Sequence, residues 1–291
     1  MVDQDARGLA VVVAVDDGSV RKPLGIEPVR EAGLDGVVIK LVRNVGHQKA
    51  ISIGLGYVAE RIQPHQRVIV MDSDGEDMPS TVPNLVKMLD SDDVDVVVAQ
   101  RASRVETLRF KIFYFFYKRF FSLMTGRKIS FGNFMALKPA AVKRLVTMQE
   151  LSIHVAGAVI ASKLRTAVCP LHRGARYAGQ SKMNFVGLAL HGFKGLMVFA
   201  EDVLVRVGIT CSGVAFLSIL GAVLAVLLKL VGFSTPGWFS VALGILVLIF
   251  LQTGALTLMT LMLTGVVRGG MASAAQAHTE FIDNVLSTSR S

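Results

Sequence analysis

The sequence has two cysteines in 291 residues, Cys169 and Cys211, and one tryptophan, Trp238. Two cysteines support no disulfide framework, which excludes the small stapled scaffolds of secreted proteins and suits a reducing compartment. Charge is missing from one long region: from Val207 to Val267 the one formal charge is Lys229. A soluble helix of that length carries a polar stripe, and none is present, so a buried hairpin of a soluble domain fits poorly. The region breaks at "GFSTPGW", where Gly232, Pro236 and Gly237 interrupt a helix. Each half exceeds the roughly 20 residues needed to cross about 30 Å of hydrocarbon, so spans are expected at about 208–231 and 239–266. Trp238 and Phe239 would anchor the loop at the interface. A signal peptide is not read either, because the early apolar run "LAVVVAV" is short and acids follow it.

Acidic residues are the minority, 22 against 31 Lys and Arg, for a net charge of +9. Hydrophobic residues make up 52% and the mean hydropathy is +0.53, high for a soluble chain. A hairpin leaves both its ends on one side. Arg206 precedes it, Arg268 follows it, and the basic excess of the N-terminal part puts that side in the cytoplasm. The basic residues cluster. "RFKIFYFFYKRFFSLMTGRK", residues 109–128, holds six of them, no acid, and eight aromatics between Phe110 and Phe121. Such a helix fits a membrane interface, with rings in the headgroup boundary and cations on lipid phosphates. The alternative is an aromatic core helix with a solvated basic edge. No stacking-sheet motif accompanies it, so nucleic acid is not an expected partner.

The first 165 or so residues read differently. "LAVVVAV", "GVVIKLV", "RVIVMD" and "VDVVVAQ" are Val-rich runs of strand length. Helical stretches lie between them, at about 24–32, 47–61 and 80–89. The alternation predicts an α/β domain with a mainly parallel sheet, which binds ligands at the carboxyl ends of its strands. Asp16 and Asp17 end the first strand, and Asp72 and Asp74 end the third, with Glu76 and Asp77 following. Carboxylates so crowded repel by about 1 kcal/mol per pair even in high dielectric. A hard divalent cation, Mg²⁺ or Mn²⁺, relieves this and takes further oxygens from a substrate diphosphate. The competing reading is a solvated acidic turn before a helix capped by Ser80.

Five segments in order carry a resemblance: "VDDGS" (15–19), "RNVGHQKAISIGL" (43–55), "VIVMDSDGEDMPSTVPNLV" (68–86), "VVVAQRASR" (96–104) and "RYAGQSKM" (176–183), then the hairpin. The sequence resembles the polyprenyl-phosphate glycosyltransferases of glycosyltransferase family 2, related to dolichol-phosphate mannose synthase and bacterial undecaprenyl-phosphate glucosyltransferases. The resemblance implies a GT-A fold, Rossmann-like, followed by amphipathic interface helices and a two-helix transmembrane hairpin. It implies that Asp17, with Asp16 beside it, meets the nucleotide base or ribose, and that Arg43, Asn44 and His47 shape the nucleotide pocket. Asp72 and Asp74 would hold Mg²⁺ or Mn²⁺ and the donor diphosphate. Asp77 and Pro79 match the turn after the triplet. Arg101 and Arg104 would meet the acceptor's phosphate, and Ser181 and Lys182 would close near the acceptor. Residues 184–206 match an amphipathic helix leading into the membrane.

The domains so expected are a catalytic domain at 1–165, an acceptor-side segment and juxtamembrane helix at 166–206, the hairpin at 207–268 and a cytoplasmic tail at 269–291. The sequence also departs from the family. The strand, "P-x-Y-N-E" turn and helix that usually precede "VDDGS" have too little room in the 14 residues before Val15. Asn133 in "FGNFMA" stands where the family carries an Asp, and an amide cannot act as a carboxylate base. Asp77 is one substitute, and an acceptor phosphate, already ionised, needs less help than a hydroxyl. The expected activity is transfer of a sugar from a UDP- or GDP-linked donor to a polyprenyl phosphate at the cytoplasmic face, among membrane lipid, with homo-oligomerisation left open. The alternative is a catalytically impaired homologue acting as a membrane-anchored binding or assembly partner. A processive transferase would carry Gln-x-x-Arg-Trp, and the one tryptophan lies in the hairpin loop.

Overall fold

The computed structural model describes residues 10–101, 108–172, 174–177, 185–233, 235, 237–271 and 278–288. The chain forms two compact units, one comprising residues up to Lys118, Lys128–Val198 and Ala275 onward, the other Arg119–Arg127 and Phe199–Ala274.

Among the described residues the first unit holds two sheets rather than one. In the smaller sheet, β1 (Val11–Asp16) runs parallel to β2 (Asp35–Leu41), with α1 (Glu27–Glu31) between them in the chain. On the other side of β2, β7 (Ile282–Ser287) pairs antiparallel. The larger sheet has the order β3 (Val68–Val70), β5 (Met135–Leu137), β4 (Val96–Arg101), β6 (Thr166–Leu171). Here β5 is antiparallel to both its neighbours, while β4 and β6 are parallel. The four Val-rich runs are therefore all strands, as the sequence predicts. The sheets are mixed because β5 and β7 are inserted against the direction of their neighbours. Of the residues read as a cytoplasmic tail, 282–287 form a strand on this domain.

Period-two alternation builds the core of the larger sheet. Val96, Val98, Met135 and Leu137 face one side, with α5 (Pro139–Val146) and α7 (Val155–Ala161) covering them through Val142, Leu145, Val155 and Val159. Val97, Ala136 and Cys169 face the other, under Leu85 and Leu89 of α3 (Val82–Leu89). Burial pushes the Cys169 thiol pKa up, which keeps it an inert packing group. Between the sheets' cores stands α2 (His47–Ala59): its Leu55 joins the larger core, and Ala50 and Ile53 pack with Val13, Val15, Ile39 and Leu41 of the smaller one. Among the described residues β1 and β3 each have a strand on one side only.

The segments read in the sequence as interfacial are helical. In α4 (Leu108–Thr125), Phe115, Phe116 and Phe120 are 64%, 66% and 50% exposed, whereas Phe121 is buried. Within the first unit Tyr117 donates its hydroxyl proton to the carbonyl of Gly192 on α8 (Phe185–Val198). There Leu190, Phe193 and Met197 make an exposed apolar stripe at helical spacing.

In the second unit, Phe121 packs edge-on against Phe199, and the guanidinium of Arg127 lies 4.9 Å from that ring. Two long helices follow, α9 (Ala200–Leu230) and α10 (Trp238–Met271). Ala200–Leu230 and Trp238–Thr264 are long and apolar enough to cross a membrane, and 17% and 0% of their apolar windows are buried. Gly208, Ala215, Ser218 and Ala225 are the buried residues of α9. They lie on one seam, where small side chains let two helices approach closely. A Cβ on Gly208 would stand 3.0 Å from the hydroxyl of Thr260 on α10.

Candidate active site

The strand β3 ends at Val70 and the acidic loop begins. Asp77 is 4% exposed, and its carboxylate accepts the Asp72 amide at 3.0 Å. Asp74 accepts the Glu76 amide at 3.0 Å. Between them Gly75 adopts φ +91°, and a Cβ there would meet the Tyr177 ring at 2.8 Å. The loop is clamped by residues 174–177. The Tyr177 amide donates to the Asp74 carbonyl and the Gly174 amide to the Glu76 carbonyl, both at 3.0 Å. Between these bonds Arg176 places Nη2 3.2 Å from Asp74 Oδ2 and Nε 3.1 Å from Glu76 Oε1. The pair with Glu76, followed by the charges of Asp74 and Asp72, holds the guanidinium pKa above its ordinary value, against some desolvation.

The carboxyl ends of β3, β4 and β6 and the start of β5 meet at one edge, because β5 alone runs backwards. A small cavity opens there, lined by Glu76, Asp77, Gln100, Phe134, Leu171 and His172 among others. This is the location at which α/β sheets take ligands.

In the smaller sheet the acids stand at the end of β1, beside the start of α2. Asp17 accepts the Val45 amide at 2.7 Å and the Gly46 amide at 3.0 Å, so it closes the turn that starts α2. Gly18, at φ +66°, lies so close that a Cβ would meet the Arg43 carbonyl carbon at 2.4 Å. Asp16 is 6% exposed, and its oxygens hold the Ser19 and Leu24 amides. Burial opposes its ionisation, but hydrogen bonds from Ser19 and Leu24 outweigh it and set its carboxyl below the ordinary range. At the second residue of α2, buried Gln48 donates to Asn133 Oδ1 at 3.1 Å and accepts the Val155 amide at 2.5 Å. Asn133 thus serves as an anchor between β5 and α2.

Three histidines cluster near the start of α2. His47 and His191 have ring centroids 6.0 Å apart, and His191 and His154 4.5 Å. His154 caps α7, accepting the Gly157 amide at Nδ1. Burial, with His191, His47 and Lys194 nearby, depresses its pKa to about 3. Burial depresses His191 as well, with His47 and Lys194 adding to the effect. Both are therefore neutral when folded. An unfolded histidine takes up a proton below pH about 6.5. Stability from these groups is present above that pH and is lost as pH falls towards the folded values, at up to about 1.4 kcal/mol per pH unit for each histidine. Thermal melts should show a decline between pH 6.5 and 4.5, above the range where Asp16 and Asp95, both depressed, begin to titrate. His154→Asn retains a capping side chain and should flatten that slope. A wild-type slope in this variant would exclude His154 as the source.

Of the residues singled out in the sequence, Asp72, Asp74 and Asp77 share one loop, and Asp17, Arg43, Asn44 and His47 share the other edge. Arg101 ends β4, register-paired with Leu171. Arg104, Ser181 and Lys182 lie outside the described residues. Gln48, His154, His172, His191 and Arg176 escaped the sequence reading. Arg176 stands in a segment that the resemblance already highlights, and its partners are set by tertiary structure. No three His, Cys, Asp or Glu side chains among the described residues converge on a metal position. Asp72 and Asp74 offer two hard carboxylates, a donor set that suits Mg²⁺ when diphosphate oxygens and water complete the sphere.

Comparison with known proteins agrees with this architecture. Residues 4–145 match Glycosyl transferase family 2. The chain is 25% identical over 246 residues to uncharacterized glycosyltransferase YkoT of Bacillus subtilis (strain 168), spanning 80% of this chain and 69% of that protein. It is 28% identical over 240 residues to uncharacterized glycosyltransferase YkcC of the same organism, spanning 78% and 70%. It is 26% identical over 230 residues to the undecaprenyl-phosphate 4-deoxy-4-formamido-L-arabinose transferase of Edwardsiella ictaluri (strain 93-146), spanning 75% and 67%. With two exposed helices of membrane-crossing length, the chain is membrane-associated. It carries a glycosyltransferase family 2 domain, and it is a glycosyltransferase.

Proposed function

We propose that this protein transfers a sugar from a UDP- or GDP-linked donor to a polyprenyl phosphate at the cytoplasmic face of a membrane. The observation that carries this reading is the acidic loop at the ligand-binding edge of a family 2 domain whose chain continues into an apolar hairpin. Both α8, before the hairpin, and β7, after it, belong to the first unit. That supports a chain that enters and leaves the membrane on one side. Arg206 and Arg268 favour the cytoplasmic side by the positive-inside rule.

In this reading Asp72 and Asp74 hold Mg²⁺ or Mn²⁺ and the donor diphosphate, and Asp77 fixes the loop that presents them. The cation, when bound, offsets negative charge on the departing diphosphate. Asp17, Arg43, Asn44 and His47 border the nucleotide. Arg101 and Arg104, at and beyond the end of β4, orient the acceptor phosphate, whose oxygen bonds to the anomeric carbon as the bond to the nucleotide diphosphate breaks. Ser181 and Lys182 belong to the acceptor side. The acceptor is an anion, so Asn133 need not remove a proton. The exposed aromatics of α4 and the stripe on α8 suit the headgroup region in which such an acceptor lies.

The test is sugar transfer by the full chain in liposomes holding a short polyprenyl phosphate, across a panel of UDP- and GDP-linked hexoses. Arg101→Ala and Arg104→Ala should each weaken acceptor use by about ten- to a hundredfold, since a charge-assisted bond contributes about 1.5–3 kcal/mol. Donor affinity should barely change. A fall in donor affinity alone would move these arginines to the nucleotide site. No transfer with any donor, by a chain that still binds nucleotide, would favour the impaired homologue.

A further inference from the structure

We propose that Arg176 is a built-in rival of the donor's divalent cation: it pairs with Asp74 and passes to the diphosphate when a cation takes its place. The proposal rests on the assignment of Asp74 to the donor site. Four carboxylates stand within residues 72–77, and Arg176 contacts two of them through separate nitrogens. A hard cation coordinates a carboxylate at about 2.0–2.1 Å. A guanidinium nitrogen 3.2 Å from Asp74 Oδ2 would then face a second positive charge at close range, so the two cannot share that oxygen comfortably. The contact can exchange, because the Arg176 and Asp74 side chains are each 32% exposed. Its backbone, however, is fixed by the Gly174 and Tyr177 amides. A released Arg176 side chain therefore stays beside the loop. A guanidinium suits phosphate oxygens, so a diphosphate arriving with the metal gives it a new partner.

Two opposite effects follow from one residue. Metal alone must displace Arg176 and gains nothing in return, so Arg176 weakens its binding. Metal with diphosphate regains the guanidinium as a contact, so Arg176 strengthens it. The experiment measures Mn²⁺ binding by electron paramagnetic resonance on the full chain in nanodiscs, without and with UDP or GDP. Wild type, Arg176→Ala, Arg176→Lys and Asp74→Ala are compared, each checked by thermal melting. Arg176→Ala should bind Mn²⁺ alone about fivefold more tightly, the scale of an exposed ion pair. It should bind Mn²⁺ with nucleotide more weakly than wild type. Arg176→Lys keeps the charge but not the fork and should fall between, which also preserves the test if the alanine variant fails to fold. Asp74→Ala should lose both modes. If Asp74→Ala loses binding while Arg176→Ala binds Mn²⁺ alone as wild type does, or worse, the rivalry is wrong and the metal assignment stands. If Asp74→Ala binds Mn²⁺ like wild type, the metal assignment fails and the rivalry falls with it.

Discussion

Asp74→Ala should cut sugar transfer by about a hundred- to a thousandfold, the usual effect of removing one group that stabilises developing charge at a reaction centre. The fold should lose far less. Asp74 contributes one hydrogen bond to the Glu76 amide, worth about 0.5–1.5 kcal/mol net. The exposed pair with Arg176 adds little. A melting shift of a few degrees is the expected scale for such a loss. Asp74→Asn separates the roles more cleanly: its amide oxygen can still accept from Glu76, so the loop keeps its shape while the negative charge is gone. Its transfer rate should drop nearly as far as that of the alanine variant, with an unchanged melting temperature. Asp77→Ala should behave otherwise. Asp77 is buried and holds the Asp72 amide, so its replacement should show in stability as well as rate. If Asp74→Asn turns over like wild type, the charge at this position has no part in the reaction.

The acidic loop was legible in the sequence because it follows a strand directly, and strands written as runs of Val are hard to mistake. The helices α2 and α3 were legible too, as stretches between the Val-rich strands, although α3 starts at Val82 after a Pro79–Thr81 turn and not at a Ser80 cap. Other parts depend on partners far away in the chain. The strand β5 is three residues long, Met135–Leu137, too short to display a period, and its reversed direction makes the larger sheet mixed. Gln48 looks like any polar helix residue until its bonds to Asn133 and Val155 are seen, across 85 and 107 positions. His154 and His191 carry no motif, and the burial that depresses their pKa values is set by tertiary structure. Arg176 is one arginine among many basic residues, distinguished by a bridge to Glu76 across 100 positions. The hairpin is the opposite case: its two apolar helices and the break between them follow from composition, since apolar helices satisfy their own backbone in lipid, although α9 begins at Ala200, about eight residues before the expected span.

Removing residues 278–288 should unravel the smaller sheet, although the segment lies beyond the hairpin and reads as a polar tail. The strand β7 runs along the edge of β2, from the Val37–Ser287 pair to Leu41–Ile282. Thr288 accepts the Gly36 amide at 3.0 Å, and the Val42 amide donates to the Phe281 carbonyl at 3.0 Å. Phe281 and Ile282 pack into the core formed by Ile39, Leu41, Ala50 and Ile53. The ammonium of Lys49 sits 3.7 Å above the Phe281 ring. The His278 ring fills the space over Gly56, where a Cβ would come within 2.8 Å of it. Without this segment β2, whose Val38 and Ile39 are fully buried, becomes an open edge with its neighbours on one side exposed to water. Phe281→Ala alone should cost about 2–4 kcal/mol, somewhat under the range for a fully buried ring. That is a large share of the roughly 5–15 kcal/mol that holds a domain folded, and the deletion should cost more. Hydrogen exchange reads the effect strand by strand. In the truncated chain, β1 and β2 amides should exchange much faster, while those of β4 and β6 keep their protection. Because Asp17 and the Arg43–Asn44 turn stand at the ends of β1 and β2, nucleotide affinity should fall with that protection. Unchanged exchange in β2 after the deletion would show that β7 merely rests on the domain, and Phe281→Ala would then leave the melting temperature where it was.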